Sequence, residues 1–171
     1  MVESDLRHLA TELESAIHGA TGEAMQKAPA GKWNAEQILE HLYLTYRNTN
    51  KGIAKCLDGG AVLATSASWK HRMRRMVVIG LGYFPEGTKA PERAVPRGAG
   101  TAEVRGSIFG EMKQMAEGLD ACERRFGTAT KIMDHPVLGP LSANEWRKFH
   151  LLHGRLHARQ IRERIKLGGS S

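Results

Sequence analysis

The chain of 171 residues is 41% hydrophobic and 25% charged, with a formal net charge of +7, a balance that excludes disordered and fibrous classes and fits one domain spanning residues 1–171. No run approaches the roughly 18 apolar residues of a membrane span, and the start has no basic segment followed by an apolar stretch, so a cytoplasmic chain without a membrane partner is expected. Basic residues cluster at His71, Arg72, Arg74 and Arg75 and at Arg155, Arg159, Arg162, Arg164 and Lys166; without interleaved aromatics or a nucleic-acid motif they read as solvated helix surface that can attract an acidic small molecule, and no nucleic-acid partner is expected.

Residues 4–21 predict a first helix, with Ser4 as N-cap and Leu6, Leu9, Leu13, Ile17 and Ala20 at helical spacing. After a link containing Pro29 and Gly31, Asn34 and Gln37 make a capping-box-like pair that opens a second helix running to about Leu57. Its inward stripe reads Ile38, His41, Leu42, Thr45, Thr49, Ile53 and Cys56, with Tyr43 and Tyr46 less favourably placed by helical phase. Residues 59–102 break the pattern of long helices. A shorter helix there would turn Met73, Met76, Val77 and Leu81 inward, and the prolines at 85, 91 and 96 prevent its continuation. A crossover of this length suits either the wall of a binding site or a plain connection.

From Thr101 to Phe126, Val104, Ile108, Met112, Met115, Leu119 and Cys122 predict a third long helix, which Gly127 ends. The following link carries His135 before Pro136, a pair that favours extended or turn backbone. Ser142 and Glu145 then form a capping box, and Trp146, Phe149, His153, Leu156, His157, Gln160 and Ile161 line one face of a fourth helix. Cys56 and Cys122 fall on apolar stripes and suit small buried hydrophobes better than a disulfide. With no convincing strand alternation, the fold class is all-α: a four-helix bundle with a long crossover between helices two and three.

Burying an imidazole without a partner costs roughly 1–3 kcal/mol, so histidines on apolar stripes need a reason. His153 and His157, one turn apart, can aim ring nitrogens at a single metal ion, or each can bond a core group. His41 is the third candidate ligand. It lies roughly 10 Å along helix two, whereas His153 and His157 lie roughly 21 and 15 Å from the far end of helix four. Helices two and four must therefore be antiparallel for the three to meet, which the long crossover permits.

The frame W-x7-H-L (Trp33, His41, Leu42), followed by H-x3-H-x2-Q-I (His153, His157, Gln160, Ile161), resembles the DinB-like superfamily over nearly the whole chain. The tract from His135 to Ile161 is similar to an uncharacterised branch of it, in which a His-Pro and Gly-Pro-Leu segment precedes the last helix. The resemblance implies a helical bundle, often a homodimer, with a divalent metal held by His41, His153 and His157. It also implies, for some members, thiol-dependent S-transfer or isomerisation with a low-molecular-weight thiol.

His150, one turn before His153, is a candidate to replace or supplement a ligand; His8, His18, His71 and His135 fall outside the motif, where surface or loop roles suffice. Three imidazoles leave an open coordination position, the arrangement of a catalytic site, and suit zinc or nickel equally. Gln160 and Thr45 stand near enough along their helices to orient an imidazole or a bound water, or simply to pack. The expected function is a metal-dependent enzyme that activates a thiol or water for transfer to, or hydrolysis of, a small substrate. The competing class is a non-catalytic bundle, structural or interacting, whose histidines bind metal only for stability or form a polar core network.

Overall fold

The computed structural model describes residues 2–85 and 89–169, excepting the side chains of 2–4 and 169. Most of it is helical: α1 (Val2–Ile17), α2 (Gly22–Gln26), α3 (Ala35–Gly59), α4 (Trp69–Arg75), α5 (Thr101–Phe126) and α6 (Ala143–Gly169). A short hairpin, β1 (Lys131–His135) and β2 (Gly139–Ser142), precedes α6.

The start signals of the long helices act as the side-chain chemistry requires. Asn34 Oδ1 accepts from Gln37 N at 2.8 Å while Gln37 Oε1 accepts from Asn34 N at 3.0 Å. At the start of α6, Ser142 Oγ accepts from Glu145 N and the Glu145 carboxylate accepts from Ser142 N. The first helix departs from expectation at both ends. It begins at Val2, so Ser4 lies inside the helix rather than at its cap, and the Ser4 side chain is outside the described residues. It stops at Ile17 because Gly19 adopts a φ of +70°, and Thr21 then caps the separate short α2.

The four long helices bury their stripes against one another: α1 packs on α6 and α5, and α3 and α5 pack on each other and on α6. The buried face of α3 is wider than the expected stripe, because Leu39, Tyr43 and Tyr46 are buried along with Glu40 and Asn50, while Thr45 is only half-buried. Along α3 and α6, partners meet in opposite order. Arg164 donates to the carbonyl of Trp33, His41 meets His153 and His157, and Thr49 meets His150. α1 approaches α6 closely at Gly154, where an added Cβ would lie 2.5 Å from a Leu9 methyl.

The link before α6 is a hairpin because its turn closes on itself. His135 Nδ1 accepts from the amides of Val137 and Leu138, and Gly139 (φ +72°) returns the chain. The crossover is tied to this hairpin: Leu63 N donates to Ile132 O at 2.7 Å, and Thr65 donates twice to the Asp134 carboxylate. Within the crossover, Met73, Met76 and Leu81 are exposed and Val77 is half-buried, the reverse of the inward face expected. α4, Met73 included, buries no residue, and the π-helical turn over Met76–Gly80 that follows shifts the helical phase and buries Val78 and Ile79 instead.

The far end of the crossover is fixed by a buried carboxylate. Glu40, 4% exposed, accepts from Arg97 N at 2.8 Å and Gly98 N at 3.0 Å. Two backbone donors that would otherwise lose their partner give this contact more weight than an exposed ion pair. Glu40→Leu is expected to lower stability by about 1–3 kcal/mol in urea unfolding and to speed hydrogen exchange at the Arg97 and Gly98 amides. Unchanged exchange at both amides would mean that other contacts hold the segment.

Candidate metal centre

His41 on α3 and His153 and His157 on α6 converge, with one ring nitrogen from each lying within 4.8 Å of the others. His153 Nε2 is 3.3 Å from His41 Nε2 and 3.1 Å from His157 Nε2. The other face of two of these rings is spoken for. His41 Nδ1 donates to the carbonyl of Ala94 at 2.7 Å, and His157 Nδ1 donates to Gln160 Oε1 at 2.8 Å. Because each Nδ1 carries the proton, each Nε2 presents a lone pair to the shared point.

Three Nε2 atoms in so small a space cannot all be satisfied by protons. His153 can supply one N–H and serve one neighbour, which leaves the remaining lone pair facing lone pairs. A divalent cation bonding all three resolves that conflict, and the outward Nδ1–H bonds to a carbonyl and an amide oxygen are the supports that metal-bound imidazoles ordinarily have. The donor set fits a transition metal such as zinc.

Charge on these rings is suppressed. Burial lowers the proton affinity of His153 well below the usual 6.5, and the neighbouring histidines add to it. Burial brings His157 down to about 4, helped by His41, and lowers His41 despite its bond to Ala94. At neutral pH the cluster is therefore a set of neutral lone-pair donors, the form that binds a metal.

His150 does not join the cluster. Its Nε2 lies 3.1 Å from the Thr49 hydroxyl and its ring stacks on Trp146 with centroids 5.5 Å apart, so it is a core histidine bound to α3. Thr45 donates its hydroxyl proton to the carbonyl of His41 at 2.8 Å, which directs it to the ligand's backbone rather than to a ring. Gln160 does bond an imidazole, that of His157. Two partners escaped sequence reasoning: the Ala94 carbonyl, delivered by a 3₁₀ turn at Glu92–Ala94, and His135, whose ring packs on Phe149 at 4.4 Å. The only signal for His135 was its place in the His-Pro tract.

The cluster opens into a cleft of about 2030 Å³ between α3, α6 and the crossover, with Trp33, Phe84, Phe149 and Leu152 among its apolar lining. Phe149 lies nearly parallel to the His153 ring at 5.1 Å, and Trp33 packs on His41 at 5.2 Å. The crossover thus forms a wall of the cleft through Tyr83, Phe84, Arg93 and Ala94. No helix among the described residues is long and apolar enough to cross a membrane. No family model, curated protein or solved structure matches the chain.

The buried histidines predict a pH dependence. The folded-state values of His135 and His157, about 4, and of His150, about 3, lie below the ordinary 6.5, through burial in each case. As pH falls through 6.5 the unfolded chain binds protons that the native chain refuses, so stability is full above that value and is lost below it. In chelator-treated protein the unfolding free energy should be flat above about pH 7. It should then fall by about 1.4 kcal/mol per pH unit for each such histidine down to about pH 4. His150→Leu should make the slope shallower by about one proton; an unchanged slope would remove His150 from this account.

Proposed function

We propose that the chain is a metal-dependent enzyme. In this reading His41, His153 and His157 hold one divalent ion, zinc or nickel, at the floor of the cleft. The observation that carries it is the pair of Nδ1–H bonds, to Ala94 and Gln160, that turn two Nε2 lone pairs onto the same point as His153. The resemblance of the Trp33–His41 and His153–Ile161 motifs to the DinB-like superfamily supports the same ligand set. It also supports a four-helix bundle in which α3 and α6 are antiparallel across a long crossover, and a cytoplasmic homodimer.

An ion bound there supplies Lewis acidity that brings a thiol or a water toward its nucleophilic form at neutral pH. The chain's residues supply the rest. His41 and His157 are held in one tautomer and one orientation, so no reorganisation is needed when the ligand set closes. Trp33, Phe84 and Phe149 exclude water from the cluster side of the cleft and strengthen electrostatic interactions within it. The open cleft favours thiol transfer to, or hydrolysis of, a small substrate over a metal held only for stability, because a structural site is closed by protein ligands.

Purified protein should contain about one divalent ion per chain by elemental analysis, and His153→Ala should lose most of it, since two imidazoles make a weak site. Equal metal content in a triple alanine variant at His41, His153 and His157 would refute the ligand set. Low-molecular-weight thiols with generic electrophiles, run beside ester and amide panels, should show turnover that falls at least about a hundredfold in His157→Ala. Turnover of thiols alone selects the transferase and of esters or amides the hydrolase, whereas silence in both panels with metal bound moves the chain to the structural class.

A further inference from the structure

We propose that His135 and Arg93 form an oxyanion-binding subsite in the cleft, so that the molecule bound beside the three histidines is a small apolar compound bearing a carboxylate or phosphate group. This deepens the reading above by naming the substrate class. It rests on that reading for the location of the reaction, but not for the binding itself.

His135 is a neutral ring with a fixed donor. Its Nδ1 accepts from Val137 N at 3.1 Å and from Leu138 N at 3.2 Å, and a nitrogen that accepts two amide protons carries none of its own. The ring proton is therefore on Nε2. The ring cannot turn away, because the hairpin holds Nδ1 while Trp146 and Phe149 pack on it at 5.5 and 4.4 Å. His135 lines the cleft, and its Nε2–H has no acceptor among the described residues and is not sealed in the interior. A donor held in place, neutral, and open to the cleft is positioned to bond a ligand oxygen.

Arg93 supplies the charge. It lines the same cleft, is exposed, and its side chain makes no ion pair or hydrogen bond among the described residues. It lies near enough to His135 for its charge to help keep that ring unprotonated. Its backbone is fixed on both sides: Asn48 donates to the Arg93 carbonyl at 2.9 Å, and the next carbonyl, that of Ala94, takes the His41 N–H. A guanidinium on the same cleft as a directional N–H, on a side chain long enough to turn toward it, matches the paired oxygens of a carboxylate or phosphate, which a solvated lysine on the rim does not.

The two sites belong to one ligand. Phe149 packs on both His135 and the ligand histidine His153, so an anion held at Nε2–H lies about one small-molecule length from the cluster. Between them the surface is apolar, formed by Phe84, Phe149 and Leu152. A ligand that is charged along its whole length would leave that stretch in contact with unpaired charge, whereas an apolar body with one anionic end fits both.

The test is calorimetric titration of the full chain, metal-loaded and metal-stripped, with benzoate, phenyl phosphate and neutral benzyl alcohol. At least one of the two anions should bind about one per chain and about tenfold tighter than the alcohol in both metal states. Arg93→Gln and His135→Phe should each weaken it about fivefold or more, with exposed Lys113→Gln as the unaffected control. Imidazole NMR should find the His135 proton on Nε2 and see that signal shift on adding the anion. The subsite is overturned by an alcohol affinity equal to that of both anions, by undiminished binding in Arg93→Gln, by a proton on Nδ1, or by anion binding that vanishes when metal is stripped. Arg93 is exposed, so its variant decides even where His135→Phe unfolds. Anion binding with no metal content would leave the subsite standing and remove the metal reading; metal content with no anion binding would do the opposite.

Discussion

The bond from His41 Nδ1 to the carbonyl of Ala94, 2.7 Å long, is the contact on which the arrangement of this molecule depends. It joins a helix residue to a segment 53 positions away in the chain, and it sets where the ring's proton resides. With the proton on Nδ1, the other nitrogen is a lone pair aimed at His153; with the reverse tautomer, two N–H groups would compete for the same space. The contacts around it serve to keep the carbonyl in place. Glu40 holds the amides of Arg97 and Gly98 on one side, and Asn48 holds the carbonyl of Arg93 on the other. The crossover is therefore not a slack connection but a support for one imidazole.

How much of this was legible in the sequence follows from which signals are local. Asn34 with Gln37, and Ser142 with Glu145, announced the starts of α3 and α6 because a capping box is written in four consecutive residues. The stripe of α5 was legible because burial there follows the 3.6-residue period over seven turns, whereas α6 also buries Arg147, His150, Gly154 and Ala158 and leaves Leu156 and Gln160 half-buried. The hairpin was not: β1 is five residues with two adjacent buried positions, Ile132 and Met133, at an irregular register, so no alternation marks it. The burial of Val78 and Ile79 in place of Met76 was equally hidden, since a single π-helical turn changes the phase without leaving a composition mark. The same division runs through the site. His153 and His157 declare themselves by spacing on one helix, and His41 by depth arithmetic. The Ala94 carbonyl has no side-chain signature, and His135 looked like a turn residue because it is one.

Electrostatics explains why a chain with a net charge of +7 can carry so many histidines in and around its core. Protonating any of His41, His150, His153 or His157 in place would strand a charge in a low-dielectric interior, next to rings that would feel it. Burial is the first cause of the lowered proton affinity in each of them. Most of the positive charge is kept on exposed arginines and lysines, where water screens it, and the buried Arg147 is neutralised by Asp120 and Glu123. The histidine cluster stays a set of neutral donors and acceptors, while the exposed Lys51, Lys55, Arg74 and Arg93 line the cleft outside it. An unprotonated cluster and a cleft lined by exposed cations are compatible for that reason, since solvent screens the outer charge.

Such an interior is costly to keep without a ligand. His153 Nδ1 and His150 Nδ1 have no hydrogen-bond partner among the described residues, and the Tyr46 hydroxyl, fully buried, has none either. Each unsatisfied polar atom costs about 1–3 kcal/mol, and leucine at the same places would satisfy packing without that cost. The surrounding core offsets it: Leu39, Leu42, Ile108, Met115, Leu119 and Ile161 are all sealed from solvent. Sequences conflict with their own packing rules mainly where a site demands it. On α6 the unsatisfied nitrogens are those of His150 and His153, on the face turned to α3, while α1 buries an aliphatic stripe and α5 adds polar contacts of its own, from Glu111 to Asn50 and from Asp120 and Glu123 to Arg147. A fold that needed only stability would have spread its polar residues to the surface; this one buries several, and three of its histidines converge on a single point that lines a cleft.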